Sequence, residues 1–144
     1  MKLSALYQIF LDCAVVTTDS RNCPAGSLFI ALKGESFNGN AFAAQALKDG
    51  CAYAIVDEAE YAPENNRHII LGDNCLQTLQ QLANYHRRQL GTKVIGITGT
   101  NGKTTTKELI SAVLSKSHNV LYTEGNLNNH IGAVSYTHLT LPTN

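Results

Sequence analysis

The chain lacks any strong bias of charge. Its 11 Lys and Arg residues balance 11 Asp and Glu residues over 144 positions, so no bulk field draws it to nucleic acid or to an anionic membrane surface. It also lacks an apolar run approaching the roughly 18 residues that span a bilayer, which excludes insertion by a helix of that kind. The N-terminus, MKLSALYQIFLDCAVV, carries a lone Lys2, and Gln8 and Asp12 interrupt its apolar stretch. With no small-residue cleavage site it does not read as a signal peptide, and a cytoplasmic location is expected. There is no CxxC pair. Cys13, Cys23, Cys51 and Cys75 are widely spaced, the pattern of reduced and mostly buried thiols rather than of disulfides or a zinc site. His68, His86, His118 and His138 form no ligand spacing, and His130 reads as a solvated or packing residue. Internal repeats and low-complexity tracts are absent. At 44% hydrophobic and 15% charged residues, the composition is that of a soluble globular protein about the size of one ordinary domain.

What is present is an alternation of short apolar runs and helical patterns. Leu6, Ile9 and Phe10 suggest a short first helix. LFIAL (28–32), AYAIV (52–56) and HIIL (68–71) read as buried strands. Between the first two, Asn40 is a candidate N-cap, Phe42, Ala46 and Leu47 share a helical face, and Gly50 closes the helix. Asp57, Glu58 and Glu60 read as a solvated loop. A stronger helix follows, with Leu76, Leu79, Leu82, Ala83 and Leu90 on one side, Arg87 and Arg88 near its C-terminal dipole end, and Gly91 as the stop. KVIGIT (93–98) is expected as a strand, Leu109, Ile110, Val113 and Leu114 as one face of a helix, and NVLYT (119–123) as a further strand. Strands alternating with helices imply an α/β fold. A boundary near Gly91 is expected, giving one small α/β unit over 1–90 and the opening β-α-β of a second.

The sharpest local signal is GITGTNGKTTTKE, residues 96–108, where a strand runs through a Gly-rich turn into a helix that opens on Lys-Thr. Turn amides and the helix N-terminus together favour phosphate oxygens. Gly99 and Gly102 permit backbone angles that a Cβ opposes. Lys103 can reach β- and γ-phosphates, and Thr104 can offer a hydroxyl to Mg²⁺. The general pattern G-x-x-x-x-G-K-[ST] is not met, because the position of its first glycine is Ile97.

This variant, TGTNGKTT, resembles the ATP-binding loop of the Mur ligase family. Folylpolyglutamate synthases have a related loop, usually with another residue after the Lys. Two further stretches narrow the resemblance. From the residues alone, 17–42 reads as strand, Asp-Ser turn, strand and Asn-Gly turn. Yet its DSR (19–21) followed by G-x-L-F-x-A-x-x-G-x-x-x-x-G is similar to the UDP-binding N-terminal domain of MurE-type and MurF-type ligases. Further on, GNLNNHIG (125–132) could be only a helix-capping loop, but it matches the MurF-type G-N-x-N-N-x-I-G, where the MurE type differs.

The resemblance implies a fold and a set of sites. A small N-terminal α/β UDP-substrate domain would be followed by the first β-P-loop-α-β of a central ATPase domain. Gly99, Thr100, Asn101, Gly102, Lys103, Thr104 and Thr105 would hold ATP, with Lys103 and Thr104 acting in catalysis and Thr104 meeting Mg²⁺. Ser20 and Arg21 would lie at the nucleotide-sugar end of the precursor, although Arg21 could instead hold its turn. Asn126, Asn128 and Asn129 would hydrogen-bond substrate without fixing a charge. The activity implied is ATP-dependent joining of D-alanyl-D-alanine to UDP-N-acetylmuramoyl-tripeptide through an acyl phosphate, by a protein that is monomeric at full length. The alternatives are a MurE-type or other family member, or a non-catalytic module that binds a nucleotide or UDP-sugar.

Family members are considerably longer. Their later Mg²⁺-binding Glu, later His, adenine pocket and C-terminal domain have no counterpart here, so the chain alone is expected not to turn over. A half-built second domain over 91–132 would expose sheet edge and an apolar helix face. The match stops near Gly132, and the tail AVSYTHLTLPTN (133–144) reads as non-native, the end of a truncated gene model.

Overall fold

The computed structural model describes residues 2–91 and 93–123. The chain divides into two units, Met1–Tyr85 and His86–Asn144.

The first unit is built on a four-stranded sheet in which every pairing is parallel. Its strands β1 (Val16–Thr17), β2 (Leu28–Ile30), β3 (Tyr53–Val56) and β4 (Ile69–Leu71) lie side by side in chain order. Leu28 sits opposite both Val16 and Tyr53, and Val56 sits opposite Leu71. Parallel sheets are covered on both faces, so their strands are apolar without alternation. Leu28, Phe29 and Ile30 are accordingly all buried, as are Ala54, Ile55 and Val56. The strand expected over 28–32 ends at Ile30, because the chain then bends toward a single antiparallel bridge between Lys33 and Asn38.

Helix α1 (Leu3–Asp12) buries Leu6, Tyr7 and Phe10, with Tyr7 rather than Ile9 in the core. The Tyr7 ring meets the Tyr85 ring edge-on at 4.8 Å. Helix α2 (Ala43–Lys48) lies in the crossover that the parallel β2–β3 pair requires. Its approach differs from the expected one. Asn38, not Asn40, is the cap; its side chain accepts the Asn40 N–H at 3.0 Å and opens a 3₁₀ turn over Gly39–Phe42. Asn40 is instead drawn fully inside, and Ala43 and Ala46 are buried while Phe42 is exposed. A Cβ at Gly39 would run into the Leu32 carbonyl, so only glycine fits this close approach.

Helix α3 (Cys75–Leu90) buries Cys75, Leu79, Leu82, Ala83 and His86, a spacing of four, three, one and three that keeps one face inward. Leu76, expected on that face, is displaced from it by Cys75. The following Gly91 has φ +63°, the left-handed stop expected there.

In the second unit, helix α4 (Lys103–Leu114) forms as expected. The strands expected at 93–98 and 119–123 do not: both segments are described and neither joins a ladder. A strand exists through hydrogen bonds to a neighbour, and an apolar pattern cannot supply one. Leu109 and Val113 are 63% and 70% exposed, so the apolar face of α4 lies open among the described residues. Among those residues no helix is long and apolar enough to cross a membrane.

Candidate functional site

Because the sheet of the first unit is parallel, the segments leaving β1, β2, β3 and β4 emerge at one edge, the edge where ligands of open α/β sheets collect. The Asp19–Ser20–Arg21 turn leaves β1. Thr17 Oγ1 donates to the Asn22 carbonyl at 2.9 Å and accepts the Asp19 N–H at 3.2 Å, and Asn22 N–H bonds the Asp19 carbonyl at 3.0 Å. The Arg21 guanidinium grips Asp19 in fork geometry, with Nε to Oδ1 at 2.9 Å and Nη2 to Oδ2 at 2.8 Å. These hydrogen bonds hold the Asp19 carboxyl down at about 2. Arg21 thus braces the turn in this structure, with 88% of its side chain exposed. Ser20 sits half-buried at the turn's centre, its carbonyl accepting Cys23 Sγ at 3.4 Å.

The same edge holds a polar network that the sequence reading missed. Asp57, expected in a solvated loop, has a side chain only 5% exposed. Its Oδ2 accepts the N–H of Cys75, the first residue of α3, at 3.0 Å. Its Oδ1 accepts Asn40 Nδ2 at 2.9 Å and pairs with Lys33 Nζ at 2.9 Å. Asn40 Oδ1 in turn accepts the Asp57 N–H at 2.9 Å. Glu58, also expected in solvent, binds Lys33 at 3.0 Å and Asn38 Nδ2 at 2.7 Å. Burial alone would push the Asp57 carboxyl up, but bonds from Cys75, Asn40 and Lys33 outweigh it and hold it below the usual range. The correction has a physical reason. A carboxylate directly after a buried strand is carried inside with it, and it survives there only because a helix N-terminus, an amide and an ammonium meet it. The signal in the sequence was the position of Asp57 at the end of AYAIV and of Asn40 behind a close-packed glycine.

The second unit carries the Gly-rich loop. Gly99 and Gly102 have φ +147° and +77°, angles that side chains rarely adopt. Among the described residues beyond its chain neighbours and its own helix, no atom lies within 4 Å of a Cβ added at Gly102, so it is the backbone angle, not space, that calls for glycine there. Gly102 is the N-cap of α4 and brings no side chain to the first turn. The Lys103 ammonium folds back over the loop, 2.6 Å from the Gly99 carbonyl and 3.4 Å from the Thr100 carbonyl. Thr100, Asn101, Thr104 and Thr105 are exposed around it, with Thr104 and Thr105 in the first turn of the helix. The loop therefore assembles three elements suited to a polyphosphate: left-handed glycines, a helix start capped by no side chain, and a long-stemmed cation that meets carbonyl oxygens here. The Thr104 hydroxyl lies in the first turn of α4, next to Lys103. Asn126, Asn128 and Asn129 lie outside the described residues.

All four cysteines are free; Cys51 and Cys75 are buried and Cys13 and Cys23 half-buried. Among the described residues no cluster of His, Cys, Asp and Glu could hold a metal ion.

Comparison with known proteins assigns both units. Residues 13–87 match the Mur ligase family, catalytic domain, and residues 97–142 match the Mur ligase middle domain. The chain belongs to the Mur ligase family. The middle-domain match extends into the tail read above as non-native.

Within this family the similarity is to MurF-type ligases. The UDP-N-acetylmuramoyl-tripeptide--D-alanyl-D-alanine ligase of Bacillus subtilis is 48% identical over 129 residues, which are 90% of this chain and 28% of that protein. The Escherichia coli ligase of the same name is 42% identical over 117 residues, 81% of this chain and 25% of that one. A crystal structure of MurF from Acinetobacter baumannii superposes with a TM-score of 0.78 at 34% identity, covering 94% of this chain and 32% of the other. The MurF ligase of Thermotoga maritima, solved in complex with ADP, gives 0.72 at 27% identity, covering 89% and 30%. The chain thus spans about a quarter to a third of the length of these Mur ligases.

Proposed function

We propose that this chain is part of an ATP-dependent, amide-forming ligase that joins D-alanyl-D-alanine to UDP-N-acetylmuramoyl-tripeptide, acting as a monomer in the cytoplasm. The observation that carries the reading is the Gly99–Thr105 loop, with its left-handed glycines and inward-folded Lys103, in a chain 48% identical to a ligase of that name. In this reading residues 1–90 hold the UDP end of the precursor and the segment from residue 91 begins the ATP-binding unit.

The chemistry follows from the groups. A carboxylate is a poor acyl donor, so a carboxylate of the tripeptide attacks the γ-phosphate of ATP and becomes an acyl phosphate, with ADP leaving. The amine of the dipeptide then attacks the acyl carbon, phosphate leaves, and an amide remains. Charge develops on the oxygens of the transferring phosphoryl group, and groups already aimed there lower the barrier most. Lys103 exchanges its Gly99 and Thr100 carbonyls for β- and γ-phosphate oxygens. The amides of 99–105 hold the chain of phosphates, and the Thr104 hydroxyl would hold a Mg²⁺ ion, which when bound supplies further charge neutralisation. In the first unit Ser20 and Arg21 face the UDP diphosphate at the carboxyl edge of the sheet, Arg21 turning from Asp19 to do so. Asn126, Asn128 and Asn129 hydrogen-bond the substrate through neutral amides.

The test is ADP release by the full-length protein given ATP, Mg²⁺ and UDP-N-acetylmuramoyl-tripeptide, with and without D-alanyl-D-alanine. Turnover that depends on the dipeptide and is abolished by Lys103→Ala is expected. Binding of ATP and precursor without ADP release would overturn the reading in favour of a non-catalytic binding module.

A further inference from the structure

Glu58 leads into the 3₁₀ turn Ala59–Tyr61, but its side chain makes no capping bond to that turn. Both of its oxygens reach instead to the loop that leaves β2. Oε1 accepts Lys33 Nζ at 3.0 Å and Oε2 accepts Asn38 Nδ2 at 2.7 Å, from partners 25 and 20 residues away in the chain. Lys33 and Asn38 are the two ends of a small hairpin. They face each other in an antiparallel bridge, and inside them the Gly34 N–H bonds the Phe37 carbonyl at 3.0 Å. One carboxylate therefore closes both ends of hairpin 33–38. Its partners are set up to meet it. Lys33 Nζ is steadied by Asp57 Oδ1, and Asn38 Oδ1 is taken by the Asn40 N–H and Nδ2, which leaves the Asn38 amide nitrogen for Glu58. Residues 34–37 between the clamped ends are exposed, and Phe37 rests its ring on Gly34, where a Cβ would collide with it. Because β1 and β2 are parallel neighbours, with Thr17 opposite Phe29, this hairpin and the Asp19–Ser20–Arg21 turn leave the sheet side by side at the carboxyl edge.

We infer that Glu58 is a positioning residue for the precursor: it holds hairpin 33–38 in one pose beside the Ser20–Arg21 turn, so that the hairpin tip forms a wall of the site for the UDP end. The inference rests on the proposed function of the first unit. A tip this short, with one backbone bond across it, is fixed by its ends. Without the carboxylate it samples other poses, and the ligand must order it at a cost in affinity. Glutamate suits the task because each of its two oxygens accepts from one end of the hairpin, whereas glutamine accepts through only one.

The experiment uses the full-length protein. Amide exchange is read at Gly34, and UDP is titrated as a competitor of UDP-N-acetylmuramoyl-tripeptide. In Glu58→Ala the Gly34 N–H is expected to exchange about tenfold faster, the size of one lost charge-assisted hydrogen bond, while the Ala54 N–H in β3 is unchanged. The Ki for UDP and the KM for the precursor are expected to rise about fivefold, and the KM for ATP to stay within about twofold. Glu58→Gln, which keeps one acceptor, is expected to lie between the parent and Glu58→Ala, and it decides the matter if Glu58→Ala does not fold. A double-mutant cycle with Phe37→Ala links the clamp to the tip, and Glu58→Ala adding little to the Ki of Phe37→Ala supports the positioning role. Unchanged exchange at Gly34 overturns the clamp. Faster exchange with an unchanged Ki, or equal rises in both KM values, overturns the positioning role while leaving the proposed function standing. Failure of UDP to compete in the parent protein overturns the reading of the first unit as the holder of the UDP end, and the inference with it.

Discussion

Asp57→Ala tests whether the polar network at the carboxyl edge organises the first unit. The substitution removes the acceptor of the Cys75 N–H at the start of α3, a loss comparable to that of a helix N-cap, about 1 kcal/mol. It also removes one acceptor of the buried Asn40 amide, about another 1 kcal/mol, though Asn40 keeps its bonds to Asn38 and to the residue 57 N–H. Leaving a buried donor short of partners adds to this, for a total of about 2–3 kcal/mol. Asp57→Asn retains one acceptor and is expected to cost about half as much. The assay is urea-dependent amide exchange read at β2 and β3, which reports the first unit without the second. The carboxyl is held below its usual value, so its stabilisation is complete above about pH 4 and is lost as pH falls through the folded value. The difference in stability between the parent chain and the Asp57→Asn variant should therefore shrink below about pH 4. A loss under about 0.5 kcal/mol at about pH 7 for Asp57→Ala, the range of ordinary surface substitutions, would refute the reasoning.

Three further outcomes are expected. Arg21→Ala removes the guanidinium but keeps the residue 21 N–H on Asp19 Oδ1, so the Asp19 carboxyl should rise from about 2 part of the way toward about 4, seen by carbon NMR titration, and the acid-side stability it now loses only as pH falls toward 2 should shrink. Gly102→Ala meets no steric obstacle but must hold φ +77°, so a loss of about 1–2 kcal/mol in helix α4 and weakened ATP binding by calorimetry are expected; unchanged binding would contradict a backbone requirement. Leu82→Ala, at a fully buried position of α3, should cost about 2–5 kcal/mol in the same urea assay.

The parts of this molecule that were legible in the sequence are those decided locally. The leucine spacing of 76–90 marks α3, although which residue opens its buried face was decided elsewhere, by the Asp57 carboxylate that holds the Cys75 amide. The Gly-rich turn at 99–102 is legible because left-handed backbone needs glycine, and it forms as read. The network of Lys33, Asn38, Asn40, Asp57 and Glu58 is not legible, because its members come from two different strand exits and the burial of Asn40 and of the Asp57 side chain exists only once β2 and β3 pair. The same logic explains 93–98 and 119–123. Their apolar pattern suits a strand, but no neighbour among the described residues makes them one.

The central claim is a ligase that activates a carboxylate with ATP. The most direct measurement supplies the full-length protein with UDP-N-acetylmuramoyl-tripeptide labelled with ¹⁸O in its reacting carboxylate, together with ATP, Mg²⁺ and D-alanyl-D-alanine, and weighs the released phosphate. An acyl-phosphate route places one labelled oxygen in each phosphate as the amide forms. Phosphate released without label, or product formed without ADP, would contradict the account.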